Sequence, residues 1–166
     1  MEHLSLVIPA KNEKESLPQV LNELKDYNLK IIVVLERSDT ETIESLKGYK
    51  VEILYQDGKG YGDAIIKGIN SVKTEFFCIF NADGSHDPKE LGEMYKEINY
   101  HNYDLIFGTR YEKNCSSEDD TFITYTGNFI FTLLGKIFFR LKLSDILYTF
   151  VLGNTKSTQD LNLKSK

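Results

Sequence analysis

A chain of 166 residues, 41% of them hydrophobic, has enough apolar side chain for one core of ordinary size, so a single domain spanning 1–166 is the expectation. The formal charge of −5 comes from 20 Lys and Arg against 25 Asp and Glu, with no basic cluster, which argues against nucleic acid as a partner. Two cysteines, Cys78 in an apolar run and Cys115 in a polar loop, exclude a disulfide framework and point to a reduced, cytoplasmic protein.

The N-terminus lacks the basic start and long apolar core of a signal peptide, and Leu4–Ile8 reads as the first strand. Further short apolar runs rich in β-branched and aromatic residues predict strands at Ile31–Leu35, Val51–Tyr55, Phe76–Phe80 and Leu105–Phe107. Helical spacing fills the intervals. Leu17, Val20, Leu21 and Leu24 follow i, i+3, i+4, i+7, with Ser16-x-x-Gln19 as a capping box and Pro18 in the first turn. Ile43 and Leu46 mark a second helix, Ala64, Ile65, Ile69 and Val72 a third, and Leu91, Met94, Tyr95 and Ile98 a fourth, opened by Asp87-Pro88. Alternating strands and helices predict an α/β three-layer sandwich around a mainly parallel sheet.

In such sheets ligands bind beyond the carboxyl ends of the strands. The informative residues are therefore those that follow each strand: Pro9-Ala-Lys-Asn-Glu13, Glu36-Arg-Ser-Asp-Thr40, Gln56–Gly62, Asn81–Pro88 and Gly108-Thr-Arg-Tyr111. In "FFCIFNADGSHDP" the oxygens of Asn81, Asp83 and Ser85 can converge on one hard cation, Mg²⁺ or Mn²⁺, whose shell a diphosphate would complete. The same residues also read as an Asx turn followed by a helix cap, and both readings are open at this level. His86 at the helix start is placed where it could touch the diphosphate or acceptor, and reads more readily as a capping or packing residue. Asp57-Gly-Lys-Gly-Tyr-Gly62 alternates glycine around Lys59 ahead of a helix, which suits a phosphate but equally a flexible turn, and it matches neither familiar phosphate-loop pattern. Arg110 offers a planar fork for a phosphate or diphosphate, or a surface ion pair.

Taken in order, "LVIPAKNEKESLP", "IIVVLERSDTET", "GKGYGDAIIKGI", "FCIFNADGSHDPKEL" and "DLIFGTRY" resemble the nucleotide-binding half of the family 2 glycosyltransferases, in particular the polyprenyl-phosphate (dolichol-phosphate mannosyltransferase-like) branch. The resemblance implies a glycosyltransferase A fold. It implies a nucleotide-sugar-binding half at 1–111 and an acceptor-side half at 112–166, incomplete at the C-terminus. It further implies a metal-assisted, inverting hexosyltransferase that moves sugar from a nucleotide-diphosphate sugar to a lipid phosphate or glycan acceptor, as in cell envelope polysaccharide biosynthesis. Carried across by position, Pro9, Ala10, Lys11, Glu13 and Glu36 lie around base and ribose, with Lys59 near the phosphates. Asn81-Ala82-Asp83 occupies the Asp-x-Asp site, where Asp83 binds the metal with Ser85 as a second ligand. Arg110 lies on the diphosphate or lipid-phosphate side, and Asp145 matches a late aspartate near the acceptor. Asn81 stands where the family has an acid, and Leu35-Glu36 where it has two.

For a hydroxyl acceptor the general base is Asp145 or Asp87, whereas an ionised phosphate acceptor needs mainly positioning. Residues 129–152 carry a broad apolar face interrupted by Lys136, Arg140 and Lys142, too broken to span a membrane. They read as an interfacial amphipathic helix, giving peripheral contact at the inner face of the cytoplasmic membrane, or as a helix packed on the sheet or in a homo-oligomer interface. Two other functions stay open: a non-catalytic nucleotide-sugar or protein-binding module, and a sugar-nucleotide pyrophosphorylase. The second would want a glycine- and arginine-rich loop after the first strand, which Pro9–Glu13 lacks.

Overall fold

The computed structural model describes residues 1–110 and 122–165, with side chains described outside 122–125. Tyr111 and Cys115 lie outside the described residues. The chain forms β1 (Leu4–Pro9), α1 (Ser16–Leu24), a 3₁₀ turn (Lys25–Tyr27), β2 (Lys30–Leu35), α2 (Thr40–Ser45), β3 (Glu52–Tyr55), α3 (Tyr61–Ser71), β4 (Phe76–Ile79), α4 (Glu90–His101), β5 (Leu105–Phe107), α5 (Phe122–Phe139), β6 (Val151–Asn154) and α6 (Thr155–Gln159). The six strands make one sheet in the order β3-β2-β1-β4-β6-β5. Contacts divide the chain into two compact units, Met1–Ile106 with Val151–Lys166, and Phe107–Phe150. The chain beyond Val151 thus returns to the first unit and does not group with the segment before it.

β1 occupies the middle because it is apolar apart from Ser5, whose hydroxyl bonds that of Thr74: all six of its residues are buried, as expected for a strand covered on two sides. It pairs in parallel with β2 and β4, so Val7 sits between Ile32 and Ile79. On one face these three pack with Val34, Phe77 and the α3 residues Ala64 and Ile69. Gly68 lets α3 approach that closely, since a Cβ there would lie 2.2 Å from Val7 Cγ1. Leu17, Val20, Leu21 and Leu24 of α1, and Leu91, Met94 and Ile98 of α4, are buried as their spacing predicts.

Two expectations are corrected. Ser16-x-x-Gln19 forms no capping box: Glu15 is the N-cap without a side-chain bond, and the Ser16 hydroxyl donates to the Glu13 carboxylate. Residues 129–152 are not one helix, because α5 ends at Phe139 and Val151–Asn154 forms β6. That strand inserts antiparallel beside β4, with Cys78 opposite Leu152, so the sheet is mixed at this side. α6 then locks back onto the first unit: Asn154 caps it by accepting from Ser157 N–H, and Gln159 Nε2 donates to the carbonyls of Ile69 and Val72 at the end of α3.

Candidate functional site

The exits of β1 and β2 are cross-braced. Ala10 N–H continues the ladder to the Val34 carbonyl, and Asn12, held at φ 59°, donates its N–H to Asp39 Oδ2 at 2.8 Å. Glu13 N–H donates to Thr42 Oγ1 at 3.0 Å, inside the first turn of α2 that Asp39 caps. Lys11 Nζ reaches Glu36 Oε1 at 3.1 Å. That ammonium holds the Glu36 carboxyl below the usual carboxylate range, helped by the Ser38 hydroxyl and by the charge of Lys59. Lys11, Glu36 and Lys59, from three successive strand exits, therefore share one electrostatic neighbourhood. Pro9 and Ala10 are buried beneath it, while Glu13 turns back to the start of α1 through Ser16.

The glycine-rich loop is shaped by its own carboxylate. Asp63 in the first turn of α3 accepts from Gly58 N–H at 2.9 Å and from the Ser165 hydroxyl at 2.6 Å, and the Ser165 bond, then the Gly58 amide, hold its carboxyl below the ordinary value. Lys67 pairs with Asp57 at 2.7 Å. Lys59, between the glycines, is exposed.

This loop is joined to the next. Tyr61 donates its hydroxyl to Asn81 Oδ1 at 2.8 Å, and Asn81 Nδ2 donates to Ser85 Oγ at 2.9 Å. Ser85 N–H in turn donates to Asp83 Oδ1 at 2.9 Å, across Gly84 at φ 82°, a turn that favours glycine. Beneath it, buried His86 accepts the Asn81 N–H on Nδ1 at 3.1 Å and meets Phe80 edge to face. Burial pulls the His86 pKa down to about 4 against the opposing charge of Asp83, so the ring is neutral near pH 7 and braces the turn. Ala82 is buried, and exposed Asp87 accepts from Lys89 N–H at 2.9 Å ahead of α4. The Asx turn read from the sequence is therefore present, with Asn81 Oδ1 engaged by Tyr61 and its Nδ2 turned to Ser85.

Asp83 Oδ2 has no hydrogen-bond partner among the described residues, and no group of three or more His, Cys, Asp or Glu suited to a metal occurs among them. One carboxylate with neighbouring hydroxyl and amide oxygens fits a hard cation that takes most of its shell from phosphate and water, and does not fit a closed tetrahedral site.

Arg110 and Asp145 meet in the second unit. Arg110 Nε donates to Asp145 Oδ2 at 2.8 Å and its Nη2 to Oδ1 at 3.2 Å; Leu147 N–H also reaches Oδ1 at 3.3 Å. The Asp145 side chain is fully buried, and the guanidinium carbon lies 5.1 Å from the Tyr148 ring centroid. Ser144 and Thr109 hydroxyls, 2.9 Å apart, tie the same two segments.

Two neighbours of the predicted residues were not singled out by their sequence. Tyr61 lay inside the glycine loop, where aromatic character masked its hydroxyl. Arg37 stacks at 4.2 Å over Tyr55, the residue paired with Leu35 at the end of β3; an Arg directly after Glu36 was the available signal.

A nucleotide-binding type of α/β sandwich, with charge and glycine concentrated at the carboxyl ends of β1 to β4, is the class these features define. The Glycosyl transferase family 2 model matches residues 5–161, and the chain belongs to that family. An uncharacterized protein of Methanocaldococcus jannaschii is 26% identical over 133 residues, 77% of this chain and 55% of its own length. A dolichol-phosphate mannosyltransferase of Pyrococcus furiosus is 28% identical over 125 residues, 70% of this chain and 35% of its own. The chain spans about half the length of the first relative and about a third of the second. Glucosyl-3-phosphoglycerate synthase from Mycobacterium tuberculosis, solved with Mn²⁺, UDP and glucosyl-3-phosphoglycerate, superposes with a TM-score of 0.74 at 13% identity, over 93% of this chain and 57% of that one. The fold is the glycosyltransferase A fold.

Proposed function

We propose that this chain carries the donor-binding part of a glycosyltransferase that moves a hexosyl group from a nucleotide-diphosphate sugar, with inversion, to a polyprenyl phosphate or glycan acceptor at a membrane surface. The observation that carries the reading is the Tyr61–Asn81 hydrogen bond, because it sets the glycine-rich loop with Lys59 beside the Asp83 turn. In this reading the first-turn amides of α3 and the Asp83 carboxylate would face one diphosphate. Lys11, Glu36, Arg37 and Tyr55 line the neighbouring strand exits, where base and ribose sit in this reading.

Asp83, with Ser85, would hold Mg²⁺ or Mn²⁺, and the Mn²⁺ and UDP bound by the mycobacterial neighbour support that assignment. A bound divalent cation would supply Lewis-acid neutralisation of the leaving diphosphate. The acceptor oxygen attacks the anomeric carbon from the face opposite the diphosphate, and the old C–O bond leaves with its electron pair on the nucleotide. Lys59 offsets charge on the leaving diphosphate, and Arg110 is the guanidinium that the second unit offers to a phosphate. A hydroxyl acceptor must also lose a proton. Asp87 keeps an exposed carboxylate for that role, whereas Asp145 has both oxygens engaged by Arg110 and is better placed to orient it.

Titration calorimetry with UDP, GDP, CDP and ADP, each with and without Mn²⁺, tests the reading. One nucleotide should bind with a Mn²⁺-dependent component that Asp83→Ala removes while the far-ultraviolet spectrum stays unchanged. Silence from all four sinks the proposal.

A further inference from the structure

Helix α5 is built inside out. Among its residues whose side chains are described, the buried ones are Asn128, Thr132 and Gly135, which fall within about 60° of one another around the helix at 3.6 residues per turn. Thr132 Oγ1 accepts the Ile146 N–H at 3.3 Å, and a Cβ on Gly135 would lie 2.7 Å from Ile146 Cδ1. The small and polar stripe therefore packs against the segment that carries Asp145, within one compact unit. Ile130, Leu133, Leu134 and Ile137 lie on the opposite side, 42% to 62% exposed, flanked by Phe129, Phe131 and Phe138 at 56% to 72%. An ordinary surface helix has the reverse arrangement.

The charge around this surface has one sign. From Phe122 to Ser144 there is no Asp or Glu, while Lys136, Arg140 and Lys142 are all exposed, in a chain whose formal charge is −5. No described helix is long and apolar enough to cross a membrane. The stretch from Phe129 to Phe139 is about 15 Å long, enough to lie along a bilayer.

We propose that the outward side of α5 docks on an anionic lipid bilayer, with Ile130, Leu133, Leu134 and Ile137 entering the headgroup boundary and Lys136, Arg140 and Lys142 meeting the phosphates. This rests on the lipid-phosphate reading of the acceptor, and specifies the surface that would bring the Arg110 unit to such an acceptor. Buried apolar area and cation attraction act together at an interface of this kind, so binding falls when either is removed.

The test is co-sedimentation of the chain with vesicles of phosphatidylcholine alone and of phosphatidylcholine mixed with phosphatidylglycerol, at low and high salt. The mixed vesicles should capture the protein in a salt-sensitive way. Ile130→Glu with Ile137→Glu, and separately Lys136→Gln with Arg140→Gln and Lys142→Gln, should each weaken capture about tenfold or more. All these positions are exposed, and matching thermal melts will show that each variant folds. No capture by anionic vesicles, or equal capture of wild type and variants, overturns the inference. So does light scattering in which Ile130→Glu with Ile137→Glu turns a dimer into a monomer without changing capture, because the face then meets a second copy. Nucleotide titration on the same preparations separates the two proposals: titration without capture removes only bilayer docking, and capture without titration removes only the donor reading.

Discussion

Replacing His86 with Phe should remove a pH dependence that the fold imposes on itself. In the native chain the ring is buried with its Nδ1 occupied by Asn81 N–H, and burial lowers its pKa from 6.5 to about 4. Above pH 6.5 both folded and unfolded chains hold a neutral ring, and the contribution is complete. Between pH 6.5 and 4 the unfolded chain takes up a proton that the folded chain refuses, so stability falls as pH falls. At 1.36 kcal/mol per unit, a gap of about 2.5 units costs about 3 kcal/mol by pH 4, and nothing more below it. That is a sizeable share of the 5–15 kcal/mol typical of a domain. Phe keeps the edge-to-face contact with Phe80 but cannot titrate, and it leaves Asn81 N–H without its acceptor, a loss of about 1–3 kcal/mol at neutral pH. Urea denaturation of both proteins in metal-free buffer from pH 7.5 to 4 measures the difference. The variant should start less stable, and the difference should move in its favour by about 3 kcal/mol across the range, closing or reversing the deficit, because carboxylates that titrate there act on both proteins alike. Curves that stay parallel would refute the buried neutral histidine.

Arg110→Ala leaves Asp145 buried without its bidentate partner and should destabilise the unit by about 3–5 kcal/mol, read by chemical denaturation; Asp145→Asn should cost less, since it leaves no buried charge. A loss under about 1 kcal/mol for Arg110→Ala would mean the pair is not formed in solution. Gly68→Ala forces a methyl against Val7 Cγ1 and should lower stability by about 1–3 kcal/mol in thermal melts, while Gly62→Ala, with open space around the added carbon, should not show this packing loss. Asn81→Asp places a second carboxylate beside Asp83 and should raise Mn²⁺ affinity about tenfold or more in calorimetry, with unchanged affinity arguing against a metal at this turn.

Much of the first unit was legible because its local patterns and its tertiary packing agree. Leu17, Val20, Leu21 and Leu24 form a helix whose apolar side is the buried side, and the strand exits carry the charged residues that parallel topology places at one end. β6 was not legible for the opposite reason. Val151-Leu-Gly-Asn154 is four residues long, shows no alternation and contains a glycine, so nothing local marks it as a strand; its pairing with β4 comes from tertiary packing alone. The hydrogen bond from Tyr61 to Asn81 spans 20 positions and likewise has no sequence signature.

α5 shows a different limit. Its periodicity identified a helix with an apolar side, yet periodicity is silent about which side faces the protein. The usual inference, apolar inward, holds only when water is the outer medium. Here the inward stripe is Asn128, Thr132 and Gly135, small enough for the helix to sit close on Ile146, and the large side chains point away. A helix so arranged in water alone would leave its Phe, Ile and Leu side chains hydrated for no gain, whereas beside an apolar medium the same arrangement buries them. The orientation of α5 is thus what the bilayer-docking proposal is argued from, and that step required the packed structure.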